Sequence, residues 1–190
     1  MLIYRIIQKV SHILRKKDLK KKVGFLGNKC SISKYYCIEG QGVHIGDGTV
    51  INEGCWIKAS IVLAKDSKLI IGKGCNIGRF NEIYSTKSII LEDKVLTAER
   101  VYISDNLHGY ADPEVPIMDQ PIVQNNTVTI GEGSWIGAGV AIMGANIGKH
   151  CVIGANAVVT HDIPDYSIAV GIPAKVIKKY DFILKKWVLV

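Results

Sequence analysis

The sequence predicts an all-β fold: a left-handed parallel β-helix, shaped as a triangular prism, with an N-terminal amphipathic helix, a loop insertion and a C-terminal helix. Three observations predict it: a six-residue period of aliphatic residues, a twenty-residue offset between successive series, and one segment without any period. The stretch "TIGEGSWIGAGVAIMGANIGKHCVIGANAVV", residues 129–159, shows the period clearly. Helices repeat every ~3.6 residues and strands every second residue, so a period of six requires a different element.

A six-residue period is typical of a β-helix in which each unit forms one side of a triangular coil. The aliphatic residue of each unit points inward, while Gly, Asn and Asp occupy corners whose backbone angles most side chains disfavour. The three-sided form is left-handed, an exception to the usual crossover hand. The predicted inward residues are Ile45, Ile51, Ile57, Leu63, Ile71, Ile77, Ile83, Ile89, Leu91, Thr97, Ile103, Ile130, Ile136, Ile142, Ile147, Ile153 and Val159.

Residues 1–40 are predicted to form a helix and a cap for the open end of the prism. Apolar residues recur at helical spacing through residues 2–20, and basic residues lie elsewhere on the wheel. Such a helix either packs on the body of the protein or lies on a membrane surface. The apolar positions are Leu2, Ile3, Ile6, Ile7, Val10, Ile13 and Leu14.

The prism itself is predicted over residues 41–171, with a loop insertion at 105–126 where the period fails. Residues 172–190 are predicted as a C-terminal extension that leaves the prism at Gly171 and ends in a basic helix from about residue 179. No run of about eighteen apolar residues and no secretory signal pattern occurs. We therefore expect a cytoplasmic protein, with peripheral contact to the inner membrane through residues 1–22 as a further expectation.

Charge is distributed unevenly along the chain. Residues 1–22 carry eight Lys or Arg against one acid (+7), residues 23–174 carry eleven against fifteen (−4), and residues 175–190 carry five against one (+4), which together give the net +7. Basic ends indicate an acidic neighbour, such as a phosphate-bearing ligand, an anionic membrane or nucleic acid, or else a solvated surface.

The cysteine pattern favours free thiols. The number is odd and no pair has CxxC spacing, which suits a reducing cytoplasm better than disulfides or zinc. Cys55 and Cys75 fall on the small-residue position of the repeat, so their predicted role is packing. The five cysteines are Cys30, Cys37, Cys55, Cys75 and Cys151.

The sequence resembles the left-handed β-helix acyltransferases with hexapeptide repeats, and is most similar to sugar and surface-polysaccharide O-acetyltransferases. The resemblance lies in "VTIGEGSWIGAGVAI", "CVIGANAVVTHDIP", "SIAVGIPAKVIKK" and the insertion "ISDNLHGYADPEVPIMDQP". It implies a homotrimer that binds acetyl-CoA, as acyl donor, in a cleft between neighbouring prisms. The acceptor, a sugar or a lipid-linked or nucleotide-linked glycan, enters the same cleft from the other end, and neither a metal nor nucleic acid is expected.

The resemblance implies that His108 is the catalytic base. A sugar hydroxyl needs a base during attack on a thioester, and histidine suits that role near neutral pH. Among the five histidines, His108 alone lies in the insertion. Its position by itself favours a surface histidine, and the resemblance reverses that interpretation. Related enzymes often read Asp-His-Asn-His-Gly where residues 105–109 read Asp-Asn-Leu-His-Gly. The orienting partner, Asp105, Glu114 or a backbone carbonyl, and the oxyanion donor stay open.

The resemblance also implies two groups of ligand-binding residues. Asn81 is assigned to the acceptor, and the alternative is a structural asparagine at a corner of the prism. Lys175 and Lys178 are assigned to CoA, and the alternative is that they form part of a solvated face. The basic C-terminal segment suits the negative charges of CoA. The acceptor-binding residues are Asn81, Tyr84 and Asn106. The CoA-binding residues are Trp135, Ala138, Ala155, Thr160, His161, Lys175 and Lys178.

The predicted function is transfer of an acetyl group from acetyl-CoA to a sugar hydroxyl, in bacterial O-antigen or capsule biosynthesis. One alternative is N-acetyl transfer to an amino sugar or nucleotide sugar. A second is a hydratase of the carbonic anhydrase kind, which needs three histidines around zinc where only His108 is well placed. A third is a non-catalytic β-helix binding protein.

Overall fold

The computed structural model describes residues 2–190, and for residues 2–9 and 12 only the backbone is described. The predicted left-handed parallel β-helix is confirmed. A single helix, α1 (Leu2–Lys22), precedes the strands, and a short 3₁₀ helix spans Ile117–Asp119. The strands are β1 Val23–Leu26, β2 Ser31–Ile32, β3 Cys37–Ile45, β4 Val50–Ile51, β5 Trp56–Ala59, β6 Lys68–Ile71, β7 Asn76–Ile77, β8 Glu82–Ser85, β9 Ser88–Leu91, β10 Leu96–Thr97, β11 Tyr102–Ser104, β12 Asn106–His108, β13 Ile122–Gln124, β14 Val128–Ile130, β15 Trp135–Ile136, β16 Ala141–Met143, β17 Val152–Ile153, β18 Val158–Val159, β19 Ser167–Val170, β20 Lys175–Asp181 and β21 Lys186–Leu189.

The short strands stack into three flat faces. The first face contains β1, the end of β3, β6, β9 and β14; the second contains β2, β4, β7, β10, β15, β17 and β19; the third contains the start of β3, β5, β8, β11, β16 and β18. Neighbouring strands within each of these series are parallel and in register. Each coil of the chain therefore contributes one strand to each face, as a period of six predicts.

Two corners of the prism matter for function. The Gly139 corner joins the second face to the third face and contains Gly54, Phe80, Arg100, Gly139 and Asn156 in successive coils. The Asp105 corner joins the third face to the first face of the next coil, and the predicted insertion leaves the prism there. These two corners lie at opposite edges of the third face.

The interior of the prism is an aliphatic column formed by the inward residues of all three faces. Nearly all predicted inward positions are fully buried, from Ile45 to Val159. Leu63 is the exception and was predicted wrongly, because residues 60–66 form a loop at the Asp105 corner and the inward positions resume only at Leu69 and Ile71. The step from Ile142 to Ile147 is short because that corner contains only Gly144, Ala145 and Asn146 between strand β16 and the next coil.

The prism begins earlier than residue 41. Strands β1 and β2 pair with β3 and β4, so residues 23–40 form a first coil rather than a separate cap. The chain passes from the third to the first face within β3 by bending at Gly40, whose φ is +115°. A Cβ on Gly40 would lie 2.4 Å from the carbonyl oxygen of Ala59, so the bend requires glycine. The cap is α1 itself, which contacts the first coil through the fully buried Leu19.

The predicted C-terminal helix is wrong, because residues 175–189 form an antiparallel hairpin. Strand β20 pairs with β19 on the second face, and β21 pairs with β20. The last coil leaves the edge of β19 with unpaired backbone groups, and pairing with a further strand satisfies them. Asp181 shapes the turn by accepting hydrogen bonds from the backbone N–H groups of Ile183 and Leu184 at 2.9 and 2.8 Å.

The small-residue role predicted for the cysteines is confirmed. All five are free thiols, and Cys55 and Cys75 are buried in the wall of the prism, where each Sγ donates to a backbone carbonyl at 3.1 Å. Burial raises the pKa of the Cys55 thiol to about 11, which keeps it protonated and unreactive at neutral pH. Within residues 2–190, no helix combines the length and apolar character needed to cross a membrane.

Candidate functional site at two corners of the prism

His108 lies on an arm that projects from the Asp105 corner. The arm is the insertion itself: β12 leaves the prism after Asp105 and pairs antiparallel with β13, so that His108 faces Ile122. The N–H of Gly109 donates to the carbonyl of Pro121 at 2.9 Å and continues this pairing. Because the arm is a regular two-stranded ribbon, the exposed His108 side chain is held at a defined distance from the prism.

The base of the arm is fixed by Asp105, whose side chain is fully buried. Its Oδ1 accepts from the N–H and hydroxyl of Thr86 at 2.8 and 3.0 Å, and its Oδ2 accepts from the N–H groups of Lys87 and Ser88 at 2.9 and 2.7 Å. Burial alone would raise the pKa of Asp105, but these donors outweigh it and hold the pKa below its usual range. Asp105 is therefore a charged anchor for the arm.

The structure does not supply the orienting partner of His108 from within one chain. Both oxygens of Asp105 are occupied by the turn at residues 85–88 and by Asn106, and Glu114 lies exposed on the outer part of the arm. In the described part of the chain, the His108 ring forms no hydrogen bond or ion pair. Water, a ligand or another copy of the chain is therefore left to partner this exposed ring.

Tyr84 and Asn106 lie side by side at the foot of the arm. The Asn106 side chain donates to the backbone carbonyl of Tyr84 at 3.4 Å and to Asp105 Oδ1 at 3.2 Å. The Tyr84 ring stacks on Trp56 with their centroids 5.4 Å apart and an interplanar angle of 3°. Asn106 and His108 are two residues apart on β12, so their side chains leave the same side of the arm. The structure thus places two predicted acceptor residues next to each other at the foot of the arm that carries the predicted base.

Asn81 is not available to an acceptor. Its side chain is fully buried in the Gly139 corner, where it donates to the Thr97 hydroxyl and accepts from the N–H of Val101 at 2.7 Å. Both ends of the amide are used within the wall of the prism. The structure therefore contradicts the predicted acceptor contact and favours the alternative, a structural asparagine at a corner.

Trp135 and Lys178 share one row of outward side chains on the second face. In the strand register, Trp135 pairs with Val152, Val152 with Ile168, and Ile168 with Lys178. Three strand spacings separate the ends of this row, about 14 Å. Trp135 points outward, and its ring is half exposed. An extended ligand that contacts the Trp135 ring therefore reaches a lysine by following the face toward the hairpin.

The other predicted CoA residues divide between the two corners. Ala138 and Ala155 lie exposed in successive coils at the Gly139 corner, where the Ala138 carbonyl accepts from the N–H of Asn156 at 2.8 Å. Lys175 is exposed and pairs with Val170 beside the same edge of the second face.

Thr160 and His161 lie instead at the Asp105 corner, with the Thr160 hydroxyl 3.0 Å from His161 Nδ1. The predicted CoA residues therefore do not form one continuous surface on a single chain. Trp135, Ala138, Ala155, Lys175 and Lys178 form one group, and Thr160 and His161 join the corner that carries His108.

Sequence reasoning missed an aromatic trough along the Gly139 corner. Cavities of about 490 and 410 Å³ adjoin there and share Phe80 and Glu82 as lining residues. The guanidinium of Arg100 lies 6.0 Å from the centroid of the Phe80 ring. A twenty-residue recurrence of outward residues at this corner was available as a signal for it. The recurring pairs are Phe80 with Arg100 and Glu82 with Tyr102.

Comparison with known proteins agrees with this architecture. A family model described as the hexapeptide repeat of succinyl-transferase matches residues 127–161. The chain is similar to the probable acetyltransferase Rv3034c of Mycobacterium tuberculosis, with 42% identity over 140 residues that cover 73% of this chain and 43% of that protein. It is also similar to the putative lipopolysaccharide biosynthesis O-acetyl transferase WbbJ of Escherichia coli, with 34% identity over 58% of this chain and 60% of that protein.

Among solved structures, AntD, an N-acyltransferase from Bacillus cereus crystallised with dTDP and coenzyme A, has the same fold. The TM-score is 0.70 at 22% identity, with 86% of this chain and 88% of that chain covered. The chain spans about half the length of the curated relatives that it matches. In its repeat, its left-handed prism and its similarity to acetyltransferases, the chain resembles the hexapeptide-repeat acyltransferase family.

Proposed function

We propose that the protein is an acetyl-CoA-dependent O-acetyltransferase that acts on a sugar hydroxyl, with His108 as the general base. The observation that carries this proposal is the division of the predicted site between two corners of a rigid prism. His108, Thr160 and His161 belong to the Asp105 corner, and the Trp135 group belongs to the second face and the Gly139 corner. The third face lies between these two groups on one chain.

A second copy of the chain removes this obstacle. In a closed trimer, the Asp105 corner of one copy faces the Gly139 corner of the next, and each of the three clefts contains one complete set of groups. The arm with His108 then reaches toward the neighbouring copy, which supplies the surface that the ring lacks in a single chain. The homotrimer is thus part of the proposed function, because each active site is incomplete without a partner.

The reaction exchanges one acyl bond for another. The neutral imidazole of His108 takes the proton of the sugar hydroxyl as the oxygen attacks the thioester carbonyl. Collapse of the tetrahedral intermediate breaks the carbon–sulfur bond, and the imidazolium returns the proton to the leaving thiolate. The products are an O-acetyl sugar and free CoA. Asp105 is a positioning residue, because it fixes the base of the arm on which His108 lies.

The donor lies along the second face. The pantetheine arm of CoA packs beside the exposed Trp135 ring, with Ala138 and Ala155 offering backbone groups at the adjacent corner. Lys175 and Lys178, on the hairpin, meet the phosphates. The row from Trp135 to Lys178 supports this placement, since its length suits an extended ligand with a phosphate-bearing end. The neighbouring copy adds Thr160 and His161 near the adenine.

The acceptor enters from the other end of the cleft. The aromatic trough ends near the coil that carries Arg100, and its rings and charged groups suit a ligand with both apolar faces and hydroxyls. Tyr84 and Asn106 complete the acceptor side beside His108. Similarity to WbbJ supports an acceptor in bacterial surface polysaccharide biosynthesis, such as O-antigen or capsule. We place the reaction in the cytoplasm, where free thiols persist.

Product analysis tests the reaction type. The purified protein is incubated with radiolabelled acetyl-CoA and a panel of sugars, nucleotide sugars and lipid-linked glycans, and the labelled products are treated with mild alkali. An O-acetyl ester loses its label and an amide retains it. A labelled amide would favour N-acetyl transfer, and CoA binding without any labelled product would favour a non-catalytic binding protein.

Subunit complementation tests the shared cleft. His108→Ala removes the base at one corner, and Trp135→Ala together with Lys178→Ala removes donor contacts at the other. When the two impaired proteins are unfolded, mixed and refolded, some clefts combine an intact His108 from one copy with an intact Trp135 surface from the other. Activity above the sum of the separate proteins is expected. Activity no greater than that sum would mean that each site is built within one chain.

A further inference from the structure

In the part of helix α1 whose side chains are described, residues 10, 11 and 13–22, one side contacts the prism. Leu19 is completely buried against the first coil, and the Lys16 ammonium donates to the carbonyl of Cys30 at 2.9 Å. Three large apolar side chains on the same helix are exposed instead: Val10, Ile13 and Leu14 have exposed fractions of 50, 54 and 60%. The alternative that this apolar stripe packs on the body of the protein is therefore wrong for these three residues.

The exposed residues form one continuous face, directed away from the prism. At about 100° per residue, Val10 lies about 180° around the helix from Leu19, with Ile13 and Leu14 on either side of it. Lys17 and Lys21 continue the same stripe toward the prism, and both are exposed. We call Val10, Ile13, Leu14, Lys17 and Lys21 the outer face of α1.

The charges around the outer face have one sign. Residues 10–22 contain six Lys or Arg and one acid, Asp18. Asp18 is already paired, since its carboxylate lies 2.8 Å from the Lys22 ammonium and accepts from the Tyr35 hydroxyl at 3.4 Å. The hydrogen bond and charge of Lys22 lower the pKa of Asp18, so it stays ionised and its charge remains matched to Lys22. The outer face thus combines an apolar centre with unpaired lysines.

We propose that the outer face of α1 binds the surface of an anionic lipid bilayer. Apolar side chains enter the boundary between headgroups and acyl chains, while the lysines extend toward anionic headgroups. This combination of apolar and basic side chains disfavours a second copy of the chain or a nucleic acid as the binding partner. Two copies of this face would bring lysines of like charge together, and nucleic acid would leave the three apolar residues without a partner. This surface lies apart from the proposed acyl-transfer site and does not depend on it.

The fixed attachment of α1 gives this contact a direction. Leu19, Lys16 and the Asp18–Tyr35 hydrogen bond hold the C-terminal half of the helix on the first coil. A bilayer that binds the outer face therefore lies beyond the first coil, and the prism extends away from it. The trough at the Gly139 corner begins at that same end, with Tyr36 in its lining. A glycan carried on a lipid would meet the trough from the membrane side.

Vesicle sedimentation with the full chain tests the proposal. The vesicles contain phosphatidylcholine alone or phosphatidylcholine with phosphatidylglycerol. The variant Val10→Gln, Ile13→Gln, Leu14→Gln keeps good helix formers at three exposed sites, so folding is preserved. We expect the wild-type protein to bind the anionic vesicles selectively. The affinity of the variant for the same vesicles should be lower by about tenfold or more. Raised salt should weaken wild-type binding.

The hairpin offers a matched control at the other end of the prism. Ile183, Leu184 and Leu189 are also exposed apolar residues near lysines, so their substitution by Gln removes comparable apolar surface. Unchanged vesicle binding by this control supports the proposal. Wild-type-like binding by the α1 variant overturns it, as does selective loss in the hairpin control. A change in oligomeric state of the α1 variant, measured by analytical ultracentrifugation, would instead assign the outer face to contacts between copies.

Discussion

Asp105→Asn is the most informative single substitution, because it removes one charge without changing the shape of the side chain. Each carboxylate oxygen of Asp105 accepts three hydrogen bonds. Oδ1 accepts from Thr86 N, Thr86 Oγ1 and Asn106 Nδ2, and Oδ2 accepts from Ser85 Oγ, Lys87 N and Ser88 N. An asparagine presents a donor in place of one of these oxygens, whichever way the amide turns.

The cost follows from the donors that lose their acceptor. If the amide nitrogen takes the Oδ2 position, the N–H groups of Lys87 and Ser88 are left facing a donor; the hydroxyl of Ser85 can rotate and accept. In the other orientation, Thr86 N and Asn106 Nδ2 lose their acceptor. Each unsatisfied buried donor costs ~1–3 kcal/mol, so the free energy of unfolding should fall by ~2–6 kcal/mol. That loss corresponds to a melting temperature lower by roughly 5–20 °C.

The effect should depend on pH in a defined direction. The pKa of Asp105 is lowered on folding, so its contribution to stability is fully present above the unfolded value of about 3.9. The contribution is lost as the pH falls through the lower folded value. The difference in unfolding free energy between wild type and Asp105→Asn should therefore be largest near neutral pH and shrink in acid.

Urea denaturation at a series of pH values measures this difference, and Asp119→Asn on the exposed part of the same arm is the control. The midpoint should fall without a change in the slope with urea concentration. Two results would refute the reasoning: equal stability of wild type and Asp105→Asn at neutral pH, or a stability difference that stays constant down to about pH 3. Either would mean that the carboxylate is not a charged anchor for the arm.

Three further predictions concern the proposed acyl-transfer site. His108→Gln should lower turnover about 10²–10⁴-fold with little change in acetyl-CoA affinity, and unchanged turnover would remove His108 as the base. Lys175→Ala together with Lys178→Ala should raise the KM for acetyl-CoA, and more at low salt, since the interaction is electrostatic; equal effects at all salt concentrations would contradict the phosphate contact. Trp135→Ala should raise the KM for acetyl-CoA to a similar extent at low and high salt, because salt does not screen the ring contact. Steady-state kinetics at two ionic strengths distinguishes this ring contact from the lysine–phosphate contact.

The prism was predictable because its signal is local and repeated. Every inward aliphatic residue reports the same geometry, so a single error such as Leu63 leaves the other assignments intact. The outward direction of Trp135 has a related cause, since a narrow column filled by Ile136 and Ile153 has no space for an indole. The placement of His108 on an insertion also followed from the point where the period stops.

The burial of Asn81 was not predictable from its position in the repeat. A corner asparagine can point toward solvent or into the wall, and the choice depends on whether the neighbouring coil offers polar partners. Here Thr97 and the N–H of Val101 lie one coil further on and capture both ends of the amide. Contacts between successive coils decide such cases, and they involve residues about twenty positions apart.

The repeating column, the arm and the residue types available for acyl transfer were all predictable from the amino-acid pattern, because a period of six fixes which side chains face inward. The conformation of the two ends depended instead on the folded prism. The segments outside the repeat adopt the conformation that the terminal coil requires. Strand β19 needs a strand partner, so β20 pairs with it, and the first coil accepts Leu19, so Val10, Ile13 and Leu14 face outward. Neither outcome is encoded in local periodicity, since both depend on a surface that exists only after the prism has formed.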